Sequence, residues 1–291
     1  MITIIGGANV DISAQLLASE VVFDSTPARI SVSLGGVARN VAHDLAVLGC
    51  SVRFVTLLGH DAFADMIERN CFDMGIDLSL SGRANSVGTG TYLCINNSAG
   101  DMEHAAADTA IIDGITPSFL GARIESINQS EVVVADCNLS AESLCYLIDN
   151  VTVPLFFDGV STHKARRAVD ALLSSKKHKV SAVKLNGHEA LAVTGASSVA
   201  QAAEALHEMG VENVYITLGG DGVLLYNGTA ETLPATAVEV VNTTGAGDAF
   251  LAGVVFAFVS GKPLREAAVC GLEAARQTLL VNAAVNPDLK L

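Results

Sequence analysis

Asp248 is the first side chain in this sequence that invites a chemical question. It closes the run "NTTGAGD", residues 242–248, and the apolar stretch "AFLAGVVFAF" follows directly. A glycine-rich turn that opens a helix offers free backbone N–H groups and the positive end of a dipole, so Gly245, Ala246 and Gly247 read as an anion hole. A carboxylate at such a place either stabilises the first helical turn, as acids do there, or faces a hydroxyl whose proton has to be removed. A general base beside an anion hole is the minimum equipment for phosphoryl transfer to an alcohol. Spacing alone leaves both readings open.

A second group of small polar residues lies far away in sequence. "GGANVD", residues 6–11, places Asn9 and Asp11 just after the first apolar run. Short amide and carboxylate side chains suit bidentate hydrogen bonding to vicinal hydroxyls, although an Asx turn closing a strand has the same composition. In "GGVARN", residues 35–40, Gly35 and Gly36 would let the backbone approach a ligand closely, and Asn40 follows one helical turn after Gly36.

These groups need a scaffold that brings them together. "ITII" at residues 2–5 is a short apolar run closed by glycines, as expected of a buried strand. "GGVARNVAHDLAVLG" puts Val37, Val41, Leu45 and Leu48 on one helical face, with Gly49 as its C-cap. The alternation continues with a strand near 52–57, a helix near 61–73, the strand "EVVVA" at 131–135 and a helix opened by Ser140; "PLFF", "SAVKL" and "NVYITL" supply further strands. Such βαβ alternation predicts an α/β fold, with a central, mostly parallel sheet covered by helices on both faces. Ligands then sit beyond the C-terminal strand ends. Residues 12–34 and 87–107 break the pattern with runs such as "RISVSL" and "TGTYLCI", and predict a small antiparallel β lid on a single domain spanning 1–291.

Four stretches in order, "GGVARN", "NGHE" (186–189), "TLGGDG" (217–222) and "NTTGAGDAF" (242–250), together resemble the signatures of the PfkB, or ribokinase-like, family of sugar and nucleoside kinases. The resemblance covers almost the whole chain. It implies that Asp248 is the catalytic base and that the amides of Gly245 to Gly247 hold the transferring phosphate. It also implies that Asn9, Asp11, Gly35, Gly36 and Asn40 bind the substrate's sugar. ATP is assigned to Lys184, Asn186, Thr217, Gly219, Gly220, Gly222 and Thr244, and Mg²⁺ to Asn186 and Glu189, partly through water. The lesser alternative for Glu189 is an ordinary exposed helix acid. Within the family, "TGTYLCINNSAGDMEHAAADTAI", "VVVADCNLS" and the terminal "NPDL" are similar to pseudouridine kinases, which makes Thr89 and Asn138 candidates for contacting a nucleoside. Three positions depart from the pattern. Asn242 stands where many relatives have Asp, which leaves a K⁺ site beside the loop an open expectation; Leu185 replaces a common Pro, and Gly159 stands where pseudouridine kinases carry Pro.

Bulk composition narrows the partners. With 17 Lys and Arg against 31 Asp and Glu, the formal charge is −14, which disfavours nucleic acid. The six cysteines have no metal-ligand spacing and read as reduced thiols. The N-terminal stretch has no basic n-region and no apolar run reaches membrane-span length, so a cytoplasmic enzyme without a membrane partner is expected. "VSTHKARR", residues 160–167, reads as a solvated helix start or as a contact for phosphate. Exposed lid edges suggest a homodimer through the lid. The expected reaction is transfer of phosphate from ATP to the 5′-hydroxyl of pseudouridine. Its alternatives are another nucleoside, a free sugar such as ribose or fructose, or a non-catalytic ligand sensor on the same fold.

Overall fold

The computed structural model describes residues 1–21 and 23–291; Val22, inside the first predicted lid segment, lies outside the described residues. From the N-terminus the chain forms β1 (Ile2–Ile5), β2 (Asn9–Leu16), β3 (Ala28–Gly35), α1 (Val37–Val47), β4 (Val52–Val55), β5 (Leu57–Leu58) and α2 (Ala62–Asp73). Then come β6 (Gly82–Arg83), β7 (Gly90–Asn96), β8 (Met102–Asp108), the short helices α3 (Pro117–Gly121) and α4 (Ile124–Ile127), and β9 (Val132–Asp136). Regular alternation follows through α5 (Ala141–Asn150), β10 (Leu155–Asp158), α6 (Thr162–Ser174), β11 (Val180–Asn186), α7 (Gly187–Thr194), α8 (Val199–Glu208) and β12 (Val211–Thr217). The chain ends with the hairpin β13 (Val223–Tyr226) and β14 (Ala230–Leu233), then α9 (Ala246–Val259) and α10 (Leu264–Thr278).

The main sheet has the order β14-β13-β12-β11-β10-β9-β1-β4, parallel from β4 to β12 and antiparallel across the last two pairings. Apart from the exposed edge strand β14, its strands are largely buried, and alternate residues feed two separate cores. Val133 and Ala135 of β9 pack with helices α3 to α8, while Val132 and Val134 pack with α1, α2, α9 and α10. This is the α/β architecture, a mostly parallel sheet covered by helices on both faces, that the alternation of apolar runs predicts. The β13–β14 hairpin was not foreseen from the sequence.

The two predicted β excursions meet in one four-stranded sheet, β3-β2-β7-β8; the first runs slightly wider than predicted, over 9–35, and the second is shifted toward the C-terminus, over 90–108. One expectation needs correcting. The sheet is not wholly antiparallel: β2 and β7, from the two separate excursions, pair in parallel with Asn9 opposite Gly90 and Gln15 opposite Asn96. Each excursion folds back on itself as a hairpin-like pair, and both leave the main sheet in the same direction, so their inner strands run alongside one another.

Candidate active site

Strand register sets the site. Asp136 at the end of β9 lies opposite Asp158 at the end of β10, and Asp158 lies opposite Lys184 of β11. Two residues on, Asn186 lies opposite Thr217 at the end of β12. A period of two puts Lys184 and Asn186 on the same face of β11. The C-terminal edge of the sheet therefore carries a row of polar side chains immediately after apolar, buried strands. The Lys184 ammonium and the Asp158 carboxylate form a buried ion pair at 3.1 Å.

Asp248 enters this row from above, in the first turn of α9. Gly245 caps that helix with φ +80°, and a side chain there would run into the carbonyl of Ala284, so the C-terminal segment fixes the turn as a glycine position. No side chain caps α9, and among the described residues the amides of Gly245, Gly247 and Asp248 donate no hydrogen bond, while that of Ala246 leans on the Thr243 carbonyl at 3.4 Å. The anion hole predicted from the sequence is thus an uncapped helix start. A Cβ on Gly247 would lie 2.7 Å from Lys184 Nζ, so the ammonium sits against the loop. Asp248 is 8% exposed, and its Oδ2 accepts from Asn40 Nδ2 at 2.8 Å. Burial pushes its carboxyl up to about 7; Asp158 and Asp136 add to the rise, while Lys184 and the Asn40 amide oppose it. For Lys184, burial acts downward, but Asp158, Asp248 and Glu189 outweigh it and the net direction is upward.

The predicted sugar-binding residues lie on the same side of Asp248. Asn9 Nδ2 donates to Asp11 Oδ1, and burial raises the Asp11 carboxyl against the pull of Asn9 and Arg39. A Cβ on Gly35 would fall 2.2 Å from Asp11 Oδ2, so the space predicted for a ligand at Gly35 is taken by the Asp11 carboxylate itself. Gly36, φ +98°, starts α1 and turns Asn40 toward Asp248. Asp136 is wholly buried and collects four donors: the amides of Gly7, Ala38 and Asn138 and the Asn138 side chain. Burial still leaves its pKa raised. Asn138 also accepts from Lys164 Nζ at 2.6 Å, so "VSTHKARR" sends one of its cations into the site instead of leaving it solvated.

Thr89 lies at the root of the lid, just before β7. It is 4% exposed; its hydroxyl donates to Asp61 Oδ1 at 2.7 Å and accepts from the Gly59 amide at 2.9 Å. Its hydroxyl proton and amide are thus committed to Asp61, and Thr89 fastens the start of β7 to the N-terminus of α2.

On the opposite side, Asn186 and Glu189 form a capping box that starts α7. Asn186 Oδ1 accepts from the Glu189 amide, and the Glu189 carboxylate accepts from both nitrogens of Asn186. Glu189 is 4% exposed, so the exposed-acid reading falls, and burial raises its pKa. Thr217 follows on β12, and Gly219, Gly220 and Gly222 form the turn after it; Thr244 lies exposed beside α9. Among the described residues, no cluster of three or more His, Cys, Asp or Glu side chains is arranged to hold a metal ion. With both Glu189 oxygens in the capping box, Asn186 and Glu189 fit contact through water with a Mg²⁺ carried in by a nucleotide, not a resident site.

The family model for pfkB carbohydrate kinases matches residues 1–290. The chain belongs to the pfkB family. It is 31% identical over 296 residues to the pseudouridine kinase of Escherichia coli, covering 100% of this chain and 94% of that protein. It is 30% identical over 289 residues to an uncharacterized sugar kinase of the same organism, covering 98% of this chain and 80% of the relative. The ribokinase of Thermotoga maritima superposes with a TM-score of 0.86 over 97% of this chain and 94% of that one at 24% identity, a likeness of fold. As a pfkB kinase the chain is a phosphotransferase acting on a hydroxyl of a sugar or nucleoside.

The departures from the pfkB pattern have local explanations. Asn242 Oδ1 accepts from the Thr244 amide at 2.9 Å, as an Asp would. A Cβ on Gly159 would lie 2.4 Å from Leu185 Cδ2, so the two unusual residues occupy one space: the missing side chain at 159 makes room for Leu185. Sequence reasoning overlooked Asp136, Asp158, Arg39 and the contact made by Lys164. The only signal for the two aspartates was an acid closing each of "VVVAD" and "PLFFD".

Proposed function

We propose that this pfkB kinase transfers the γ-phosphoryl group of ATP to the 5′-hydroxyl of pseudouridine. One observation carries the chemistry: a buried carboxyl with a pKa of about 7, Asp248, held by Asn40 beside the free amides of α9 and the Lys184 ammonium. The full-length likeness to a pseudouridine kinase supports the substrate. In this reading Asn9, Asp11 and Asn40 orient the ribose, and the β3-β2-β7-β8 sheet acts as a lid that excludes water. Asp248 accepts the hydroxyl proton as the oxygen bonds to phosphorus and ADP departs. The amides of residues 245 to 248 and Lys184 take up the developing charge. Asn186, Glu189, Thr217 and the turn at Gly219 to Gly222 hold the nucleotide, with Thr244 at its edge. A Mg²⁺ carried by the nucleotide supplies further neutralisation of phosphate charge.

The lid face that carries Ile30, Val32 and Leu93 is 67%, 49% and 39% exposed at those residues, and a second copy of the chain is its proposed cover. Among the described residues no helix is long and apolar enough to cross a membrane.

The test is an ATP assay with pseudouridine, uridine, cytidine, ribose and fructose side by side, with the product's phosphate position located by NMR. The highest kcat/KM is expected for pseudouridine with phosphate on the 5′ oxygen. The full-length likeness to a sugar kinase supports a second reading, a free pentose or hexose, and a preference for ribose or fructose would replace the first.

A further inference from the structure

Asn40 presents its NH₂ group to Asp248, yet nothing in an amide's shape dictates which end faces the base. The other end supplies the reason. Asn40 Oδ1 accepts from Arg39 Nη1 at 3.2 Å, and the same guanidinium nitrogen reaches the carbonyl of Leu34 at 3.3 Å, at the root of β3. The second nitrogen, Nη2, donates to Asn70 Oδ1 of α2 at 2.6 Å and to His43 Nδ1 at 2.8 Å. Burial, then Arg39, pushes the His43 pKa down to about 4, so its Nδ1 is available as an acceptor near neutral pH. Arg39 is 5% exposed, and a planar fork with four acceptors around it cannot rotate freely. Turning the Asn40 amide over would set NH₂ against guanidinium and carbonyl oxygen against carboxylate, two repulsive contacts in place of two hydrogen bonds.

We propose that Arg39 is a positioning residue: its guanidinium fixes the end of the Asn40 amide that faces Asp248, and so keeps a donor on the catalytic base. The inference rests on the reading of Asp248 as that base. It adds a residue outside the predicted site, one that also joins the root of the proposed lid to the base through a single side chain.

The groups facing each partner define what a substitution changes. Asp248 is faced by Asp136 of β9, Asp158 of β10, Lys184 of β11 and Asn40 of α1, with Asp44 of α1 also within electrostatic reach. Arg39 is faced by Asp11 of β2, His43 and Asp44 of α1, and Cys71 of α2. Loss of the Asn40 donor removes one of the influences that hold the Asp248 carboxyl down, so the acid limb of kcat/KM must move to higher pH.

Arg39→Lys keeps the charge and loses the fork. With whichever acceptor the wild type phosphorylates, this variant is expected to move the acid limb up by about 1 pH unit, with activity near pH 7 reduced and largely recovered near pH 9. In an Asn40→Ala background the same change should move the limb no further, because Arg39 then has no amide to orient. Arg39→Gln, equally soluble or not, is measured in the same way and should displace the limb in the same direction. A limb that stays in place in Arg39→Lys, or that moves equally with and without Asn40, overturns the proposal and leaves Arg39 a packing residue. Asp248→Asn separates the two layers: normal turnover there removes the base itself, whereas an inactive Asp248→Asn with an unmoved Arg39→Lys limb removes the positioning role alone.

Discussion

Asp248 stands under two opposed influences. The free amides at the start of α9 favour its ionised form, while burial and the neighbouring Asp158 push the carboxyl up to about 7. A base with that value takes a proton from an alcohol as the new bond to phosphorus forms, and is regenerated near neutral pH. The sign follows directly. Below the limb the acid form dominates, so kcat/KM should climb about tenfold per pH unit and level off above pH 7 to 8. A pH–rate profile flat down to pH 5 would exclude this base. Asp248→Asn keeps the Asn40 contact in a neutral form and should lower kcat by about 10² to 10⁴, with a Tm at neutral pH no lower than the wild type's, because the raised pKa of the buried carboxyl is removed. The pair Gly159 and Leu185 tests the packing beneath. Gly159→Ala should destabilise by about 1–3 kcal/mol through overpacking, and combining it with Leu185→Ala should be less damaging than the sum of the two single changes. Denaturant unfolding of the four proteins measures this, and strict additivity would separate the two sites.

At the scale of elements, α1 carries more of the site than its length suggests. It presents Asn40 to Asp248, Arg39 to the Leu34 carbonyl of β3 and, one turn after Asn40, Asp44 to the interior. Asp44 is fully buried and neither carboxylate oxygen has a partner among the described residues. Burial first, then Asp248, holds its pKa well above the usual carboxylate value, with Arg39 opposing. The unfolded chain loses this proton at a lower pH than the folded one, so the folded state loses relative stability as pH rises above the unfolded value, until the folded pKa is passed. Asp44→Asn does not titrate. Its advantage should be absent near pH 4 and grow toward pH 8, reaching on the order of 1 kcal/mol, or roughly 2 °C in Tm. A Tm difference that does not change between pH 5 and pH 8 would contradict a neutral Asp44. The helix itself was legible from Val37, Val41 and Leu45, since a 3.6-residue period survives in any local window, and β9 to β12 were legible as apolar runs. The parallel pairing of β2 with β7 was not, because it joins segments about 80 residues apart that carry no shared local signal. Asp136 and Asp158 were hidden for a related reason. An acid ending an apolar strand reads like the start of a solvated turn, and only register shows that these two and Lys184 share one edge.

For the whole molecule, the small sheet has two unlike faces. Register aligns Val32, Ile12, Leu93 and Ala106 in one row, and Ile30, Ala14, Ile95 and His104 in the next, so one face is largely apolar. Residues of opposite parity, Asp11, Ser13, Ser33 and Tyr92, form the other face, and the Asp11 carboxylate there lies against Gly35. An apolar face on a sheet that projects from the main body favours burial against a copy of itself, and a lid braced in that way moves less freely over the site. Val32→Asp places a charge at the centre of that face without touching Asp11. Sedimentation velocity should show the wild-type mass halved in this variant, and kcat/KM should fall roughly tenfold or more because the sheet that carries Asp11 loses its brace. An unchanged mass would remove the dimer through the lid. A halved mass with full activity would keep the dimer and show that one copy of the sheet can hold Asp11 in place against the ribose.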